Sequence, residues 1–405
     1  MEEKGVDVPS YFLCPISLQI MRDPVTVCTG ITYDRDSIEK WIFSGNRRVE
    51  ATCPVTKQPI PGGELTPNHT LRRLIQAWCV ANASYGVERL PTPRIPLDKA
   101  QIAHILNEAR RLETQLDALR KLRSLVIESD RNRRCVEAAG APDFLISVIR
   151  RSPIAPSTEE EALGVLHALQ ISPQGFIDMI VRNEDLVELL IAVMQRSNYQ
   201  SRAYATFLLR SLFEAASPVR FLSLKDEFFT ELVKVLRDRI SFKATKVALR
   251  VLAMSCPWGR NRVKATDAGA VPVLVELLLD DPEKRACEMA LVVLDQLCCC
   301  AEARAELLAH SGGLAVVSKK IIRLSHLATE RAVRVISSVA KYSATPAVLQ
   351  EMLQIGVVAK LCLLLQVQSG NKTTERAASI LRLHSKTWKK SPCIPQHLLS
   401  SYPSH

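Results

Sequence analysis

Residues 8–81 read VPSYFLCPISLQIMRDPVTVCTGITYDRDSIEKWIFSGNRRVEATCPVTKQPIPGGELTPNHTLRRLIQAWCVA. Their hydrophobic outline is that of a small domain with two long loops. Such loops are often cross-braced by a pair of zinc ions, each taking tetrahedral Cys or His ligands, mostly from C-x-x-C steps. Residues 1–80 offer only Cys14, Cys28, Cys53, Cys79 and His69, with no C-x-x-C pair. Metal ligation is therefore excluded, and another brace must hold the loops.

The material for that brace is Asp23, Asp34, Asp36, Glu39, Lys40 and Glu64, whose pairing the sequence leaves open. Residues 25–33 read as a hairpin turning at Thr29-Gly30. Asp34 stands where an N-cap would precede a helix over 35–43, with Ile38, Trp41 and Ile42 on one side and Gly45 stopping it. A closing helix follows Asn68 and carries Leu71, Leu74, Ile75 and Trp78 at helical spacing.

Six separated blocks occur in order: Cys14-Pro15-Ile16, Asp23-Pro24-Val25, residues 30–34, residues 38–41, Cys53-Pro54-Val55-Thr56 and Pro67-Asn68. Together they resemble the U-box, the zinc-free relative of the RING domain found in ubiquitin ligases. The resemblance implies an α+β, ββα-type module over 8–82, with Cys14, Asp23, Pro24, Gly30, Tyr33 and Asp34 as structural residues. It also implies a surface for a ubiquitin-charged conjugating enzyme, made by Ile16 and Leu18 in the first loop, Trp41 on the helix and Pro54 in the second loop. A shallow apolar patch anchored by an aliphatic, an aromatic and a proline is ordinary recognition chemistry. Ile16, Trp41 and Pro54 remain open to a core or turn role instead. Lys57 occupies the second-loop position where some relatives carry an arginine linchpin, and lysine lacks the planar guanidinium fork. The implied mechanism needs no nucleophile and no cofactor. A substrate lysine attacks the thioester on the conjugating enzyme, and the ligase contributes proximity and order.

At 405 residues the chain exceeds one core and should split. Residues 1–80 hold nine Lys/Arg and nine Asp/Glu, so the net charge of +11 lies beyond them. With no aromatic-and-basic platform, nucleic-acid binding is not expected. The longest apolar runs, such as 270–279, are half the ~20 residues of a membrane span, and the N-terminus lacks signal-peptide character. Scattered cysteines fit a reducing compartment. Cys298, Cys299 and Cys300 read as small hydrophobes at a helix end. The expected location is cytoplasmic, with nuclear or peripheral-membrane sites left open.

Residues 83–97 carry Pro91, Pro93 and Pro96 and read as a stiff linker. Beyond it a repeat emerges. A small residue followed by apolar ones begins at Ala118, Ala162, Ala205, Ala248, Ala290, Ala332 and Ala377, in steps of 44, 43, 43, 42, 42 and 45 residues. Gly140, Gly269, Gly312 and Gly356 keep the same register, as helix joints in which glycine can turn left-handed. The joints near Asn183 and Asp226 lack glycine, and residues 151–157 are a Pro-containing insertion. This period without strand alternation resembles armadillo repeats, an all-α superhelical solenoid over 98–390, with a disordered tail over 391–405.

A U-box joined to an armadillo array resembles the plant U-box–armadillo ubiquitin ligases, over nearly the whole chain. That implies polyubiquitination, stress or immune signalling, self-association as an open question, and a protein substrate in the groove formed by successive third helices. The helices following the joints are taken to line it, roughly 142–151, 185–195, 228–237, 271–279, 314–322 and 357–366, so that Arg150, Lys234, Arg237, Lys319, Lys320 and Lys360 would meet an acidic partner. A non-catalytic armadillo adaptor and an accessory chain-elongating ligase are the rival readings. One tryptophan, Trp258, in residues 99–385 disfavours the Trp/Asn peptide ladder of import receptors.

Overall fold

Alternation along the first hairpin sets Val25 opposite Tyr33 and Thr26 opposite Thr32, and the computed structural model pairs them in that register. Strands β1 (Pro24–Thr26) and β2 (Thr32–Asp34) turn through Gly30, whose φ of +79° suits glycine alone. Helix α1 (Arg35–Ser44) follows, and a third strand, β3 (Thr66–Pro67), pairs with the other edge of β1 before α2 (His69–Ala81). Asn68 caps α2, its side chain accepting the Leu71 amide at 3.0 Å. The core gathers Phe12, Met21, Val25, Tyr33, Ile38 and Ile75. Two details differ from the sequence expectation. Trp41 turns outward, so α1 buries Ile38 and half-buries Ile42, and in α2 Cys79 takes the buried place expected of Leu74, which is exposed.

The structure describes residues 7–44, 51–61, 64–88, 99–151, 156–196, 198–215, 222, 224–280, 283–366, 371–389 and 402–403. Gly45 and the linker prolines Pro91, Pro93 and Pro96 lie outside them. The chain divides into two compact units, Met1–Pro96 and Leu97–His405.

In the second unit α3 (Lys99–Arg110) precedes α4 (Gln115–Glu128), the first helix with an anchor alanine. Repeats of short, middle and anchor helices follow: α5 (Asp130–Ala138), α6 (Ala141–Arg151) and α7 (Pro156–Ala168), then α8 (Pro173–Arg182), α9 (Leu186–Gln195) and α10 (Tyr199–Ala215). Next come α11 (Asp226–Asp238) and α12 (Phe242–Ser255), with no short helix before them among the described residues. The series continues with α13 (Gly259–Asp267), α14 (Ala270–Leu279) and α15 (Lys284–Leu297), and with α16 (Ala301–Ala309), α17 (Gly313–Lys320) and α18 (His326–Tyr342). It ends with α19 (Pro346–Gln354), α20 (Val357–Gln366), α21 (Asn371–Leu383) and the short α22 (Ser385–Trp388).

All seven anchor alanines are buried, and their helices stack in unbroken succession, α4 on α7, α10, α12, α15, α18 and α21. A methyl group at the contact lets helix axes approach closely. Three of the four joint glycines, Gly140, Gly269 and Gly356, have φ near +75 to +78°. Gly312 does not; its φ is −99°, and the neighbouring Gly313 carries the constraint. A Cβ on Gly313 would lie 2.0 Å from the Leu307 carbonyl oxygen. Of the tail over 391–405, expected to be disordered, only Tyr402 and Pro403 are among the described residues; Tyr402 is buried and donates its hydroxyl hydrogen to the Leu381 carbonyl at 2.7 Å.

Gly313→Ala should destabilise the array by roughly 1–3 kcal/mol, the usual cost of overpacking. A backbone oxygen cannot rotate away. Gly140→Ala meets open space and costs only its left-handed backbone, roughly 1–2 kcal/mol. Thermal melts followed by circular dichroism should rank Gly313→Ala as the more damaging.

Candidate functional site

The two loops of the first unit are built alike. Residues 14–19 read CPISLQ and residues 53–58 read CPVTKQ. In each, the cysteine amide donates to the glutamine carbonyl at 2.8 Å, and the cysteine carbonyl accepts from Leu18 (2.8 Å) or Lys57 (2.9 Å). Leu18 and Lys57 both take positive φ, 57° and 60°, a conformation costly for residues with a Cβ. Isolated bridges Leu13–Ile20 and Thr52–Pro59 close the loops. The repeated C-P-[IV]-[ST]-x-Q pattern carries this equivalence, and it pairs Val55 with Ile16 and Lys57 with Leu18.

Hydrogen bonds supply the brace. Cys14 Sγ accepts the Asp34 amide at 3.3 Å, and Asp34 Oδ1 accepts the amides of Arg22 (2.8 Å) and Asp23 (2.9 Å). Asp34 thus ties the first loop with its carboxylate, where the sequence suggested a helix cap. Tyr33, fully buried, places its hydroxyl 3.0 Å from Cys53 Sγ and accepts the Val55 amide at 3.3 Å. Arg35 completes the frame, with Nε 2.5 Å from Asp23 Oδ2 and a longer approach to Glu39 at 3.8 Å. Pro24 offers its carbonyl to the Asn68 amide at 2.8 Å.

The sulfurs respond to these donors. Burial pushes the Cys53 thiol up, but the hydroxyls of Thr29 and Tyr33 and the donors of Thr56 outweigh it and bring the pKa down to about 6. Cys14 is also lowered: burial opposes, while the amides of Ser17, Asp34 and Ile16 prevail. Burial, with Cys53 adding to it, holds the Tyr33 phenol above its usual range, so its proton stays available to the sulfur.

Around this frame, Leu18 is 75% exposed, Val55 53% and Trp41 45%. Ile16 and Pro54 are half-buried, and Ile16 packs one side against the core. Trp41 lies against the second loop, donating Nε1–H to the Thr52 carbonyl at 2.8 Å, with Lys57 Nζ 6.0 Å from its ring centroid. Ile16 and Leu18 belong to the first loop and reach the second through the Tyr33–Asp34 step.

The second unit corrects the expected groove. Successive members pack most closely in the anchor layer, which in a curved solenoid is the inner one. The helices after the joints form the outer layer. Lys320 is 1% exposed, with Nζ 3.7 Å from Cys287 Sγ, and is buried within the array. Arg150 pairs with Asp185 (2.7 Å), Lys234 with Glu231 (2.7 Å), and Lys360 donates to the Ser318 carbonyl (2.7 Å). Arg237 lies beside Gly269, and Lys319 is exposed. On the anchor layer, Arg123 passes over Gly164 to donate to the Tyr204 hydroxyl at 2.6 Å. His167 stacks between Tyr204 and Phe207, and burial together with Lys243, Arg210 and Arg123 lowers its pKa to about 4.

Comparison with known proteins places these two units. Residues 8–84 match the U-box domain, and residues 101–404 match the plant U-box protein ARM repeat region. The chain is 52% identical to the E3 ubiquitin-protein ligase PUB23 of Arabidopsis thaliana, covering 99% of this chain and 98% of that one. It is 48% identical to the E3 ubiquitin-protein ligase PUB22 of Arabidopsis thaliana, covering 99% and 100%. A crystal structure of an engineered protein shares the fold with a TM-score of 0.53 at 18% identity, over 76% of this chain and 71% of that one.

Tyr33→Phe removes the hydroxyl between Cys53 and Val55 and should cost about 1–3 kcal/mol in denaturant unfolding of the first unit. Chelator treatment of the wild type should leave the same transition in place. A second test concerns pH. Cys53 has a folded pKa below its unfolded value, so its stabilisation is complete above ~8.5 and fades as pH falls through about 6. Hydrogen exchange of the Cys53 and Lys57 amides in the full chain, corrected for intrinsic rates, should lose protection across that window. Cys53→Ser should flatten the dependence.

Proposed function

Because the chain belongs to the plant U-box proteins with an armadillo repeat region and is a U-box E3 ubiquitin transferase, we propose that its first unit docks a ubiquitin-charged conjugating enzyme and its second recruits the protein to be modified. The observation that carries the docking assignment is the exposure of Leu18 and Val55 on loops held from beneath and of Trp41 on the helix beside them. Large apolar side chains on a preorganised surface bind without an ordering cost. Ile16 and Pro54 fill the floor of that surface, and Lys57 stands at its edge over the Trp41 ring.

In this reading the protein supplies order and no nucleophile. Its buried thiols, such as Cys14 and Cys53, serve as hydrogen-bond acceptors. The conjugating enzyme carries the thioester, and holding it against a recruited lysine converts a bimolecular step into a nearly unimolecular one. The eleven cysteines among the described residues are all unpaired, in accord with action in a reducing compartment, which we take to be the cytoplasm. A role in plant stress or immune signalling belongs to the same reading and rests on family resemblance.

A reaction with activating enzyme, a panel of conjugating enzymes and ubiquitin tests the docking face. Leu18→Asp and Val55→Asp should each lower autoubiquitination at least about tenfold, equivalent to ~1.4 kcal/mol, with the thermal melt unchanged. Full activity in both variants would refute the assignment.

A further inference from the structure

On the inner layer, α15, α18 and α21 enclose a depression of ≈210 Å³ lined by Asp295, Arg334, Ser337, Ser338, Lys341 and Arg376. Arg331 and Arg376 each stand immediately before an anchor alanine, Ala332 and Ala377, so the repeat itself delivers them to one face. Asp295 is the acid at this site and it is already engaged. It is 2% exposed, accepts a hydrogen bond from Arg331 at 3.0 Å, and forms an ion pair with Arg334, whose Nε lies 2.7 Å away. One carboxylate thus answers two guanidiniums.

The remaining donors are unspent. Lys341 and Arg376 have no carboxylate within ion-pair distance among the described residues, and the Ser337 and Ser338 hydroxyls have no hydrogen-bond partner there. A mid-helix serine ordinarily returns its hydroxyl to a carbonyl one turn back or gives it to water. Elsewhere in the array Ser255 and Ser211 do return theirs. The Tyr342 ring, 61% exposed, lies at the rim with Lys341 Nζ 5.1 Å from its centroid.

We propose that this depression binds an anionic side chain of an extended protein segment laid along the inner layer, with a phosphomonoester as the best match. Two hydroxyls, an ammonium and the Arg376 guanidinium offer more donors than the two oxygens of a carboxylate accept. A phosphate brings three acceptor oxygens and nearly two charges. The inner surface of a solenoid admits an extended chain and keeps out a flat bilayer, which favours a protein segment over a lipid surface. The proposal rests on the reading that the array recruits substrate, and it names the chemistry of one subsite.

The test uses the full chain and three fluorescent peptide pools with identical degenerate flanks and one lysine, differing only in a central phosphoserine, glutamate or serine. At physiological ionic strength the phosphoserine pool should bind at least about tenfold tighter than the serine pool. Lys341→Glu/Arg376→Glu should remove that difference, as should Ser337→Ala/Ser338→Ala, which introduces no new charge. Unchanged circular dichroism melts would show that both variants fold. Equal gain for the glutamate pool would support the site with carboxylates as ligands too. No preference over serine, or a preference both variants keep, would overturn it. So would binding to phosphatidylinositol-phosphate vesicles that the variants lose while peptide binding stays. Reconstituted ubiquitination of the same pools separates the two readings. Binding without lysine modification would leave the pocket standing and defeat recruitment. Modification that ignores the central residue would leave recruitment standing and defeat the pocket.

Discussion

Tyr33 and Asp34 are neighbours on one strand, so their side chains must leave on opposite faces, and the first unit depends on that geometry. Tyr33 reaches the second loop through Cys53 and Val55, while Asp34 holds the first loop through Cys14, Arg22 and Asp23. Pairing of β2 with β1 fixes where the two side chains begin. The two loops are therefore coupled through one dipeptide, much as a shared metal pair would couple them. Individual bonds to sulfur are weak, but they are buried or part-buried, and a donor left there without an acceptor is expensive. The outcome is a pair of equivalent turns whose exposed residues, Leu18 and Val55, are held in place by groups beneath them.

In the array the charges serve mostly as stitching. Arg123–Glu161, Arg150–Asp185, Arg196–Glu159, Arg202–Asp238, Lys246–Glu283 and Arg331–Asp295 each join residues 35 to 38 positions apart, close to one repeat. A repeat that presents basic residues to its neighbour's acids consumes them within the solenoid. Formal charge therefore says little about the surface offered to a partner. The informative residues are those left over, and Lys341 and Arg376 stand among hydroxyls that are equally unspent.

Much was legible in the sequence because it depends on period and local chemistry. Seven anchor alanines at steps of 42 to 45 residues specify a helical solenoid, since a small residue is needed wherever helices touch. The hairpin at Thr29-Gly30 and the helix that follows Asn68 come from turn chemistry and helical spacing. What the chain could not disclose alone is which groups meet across distance. Asp34 looked like a helix cap and proved to be a loop clamp, because the amides of Arg22 and Asp23 compete for its carboxylate. Trp41 shared its helical stripe with Ile38 and turned outward, its indole drawn to the Thr52 carbonyl. The basic residues assigned to the groove lie on the outer layer, and Lys320 is buried, because layer order is set by which helices stack most closely. Periodicity states that helices pack; only the folded chain decides which face is inside and which donors remain without an acceptor.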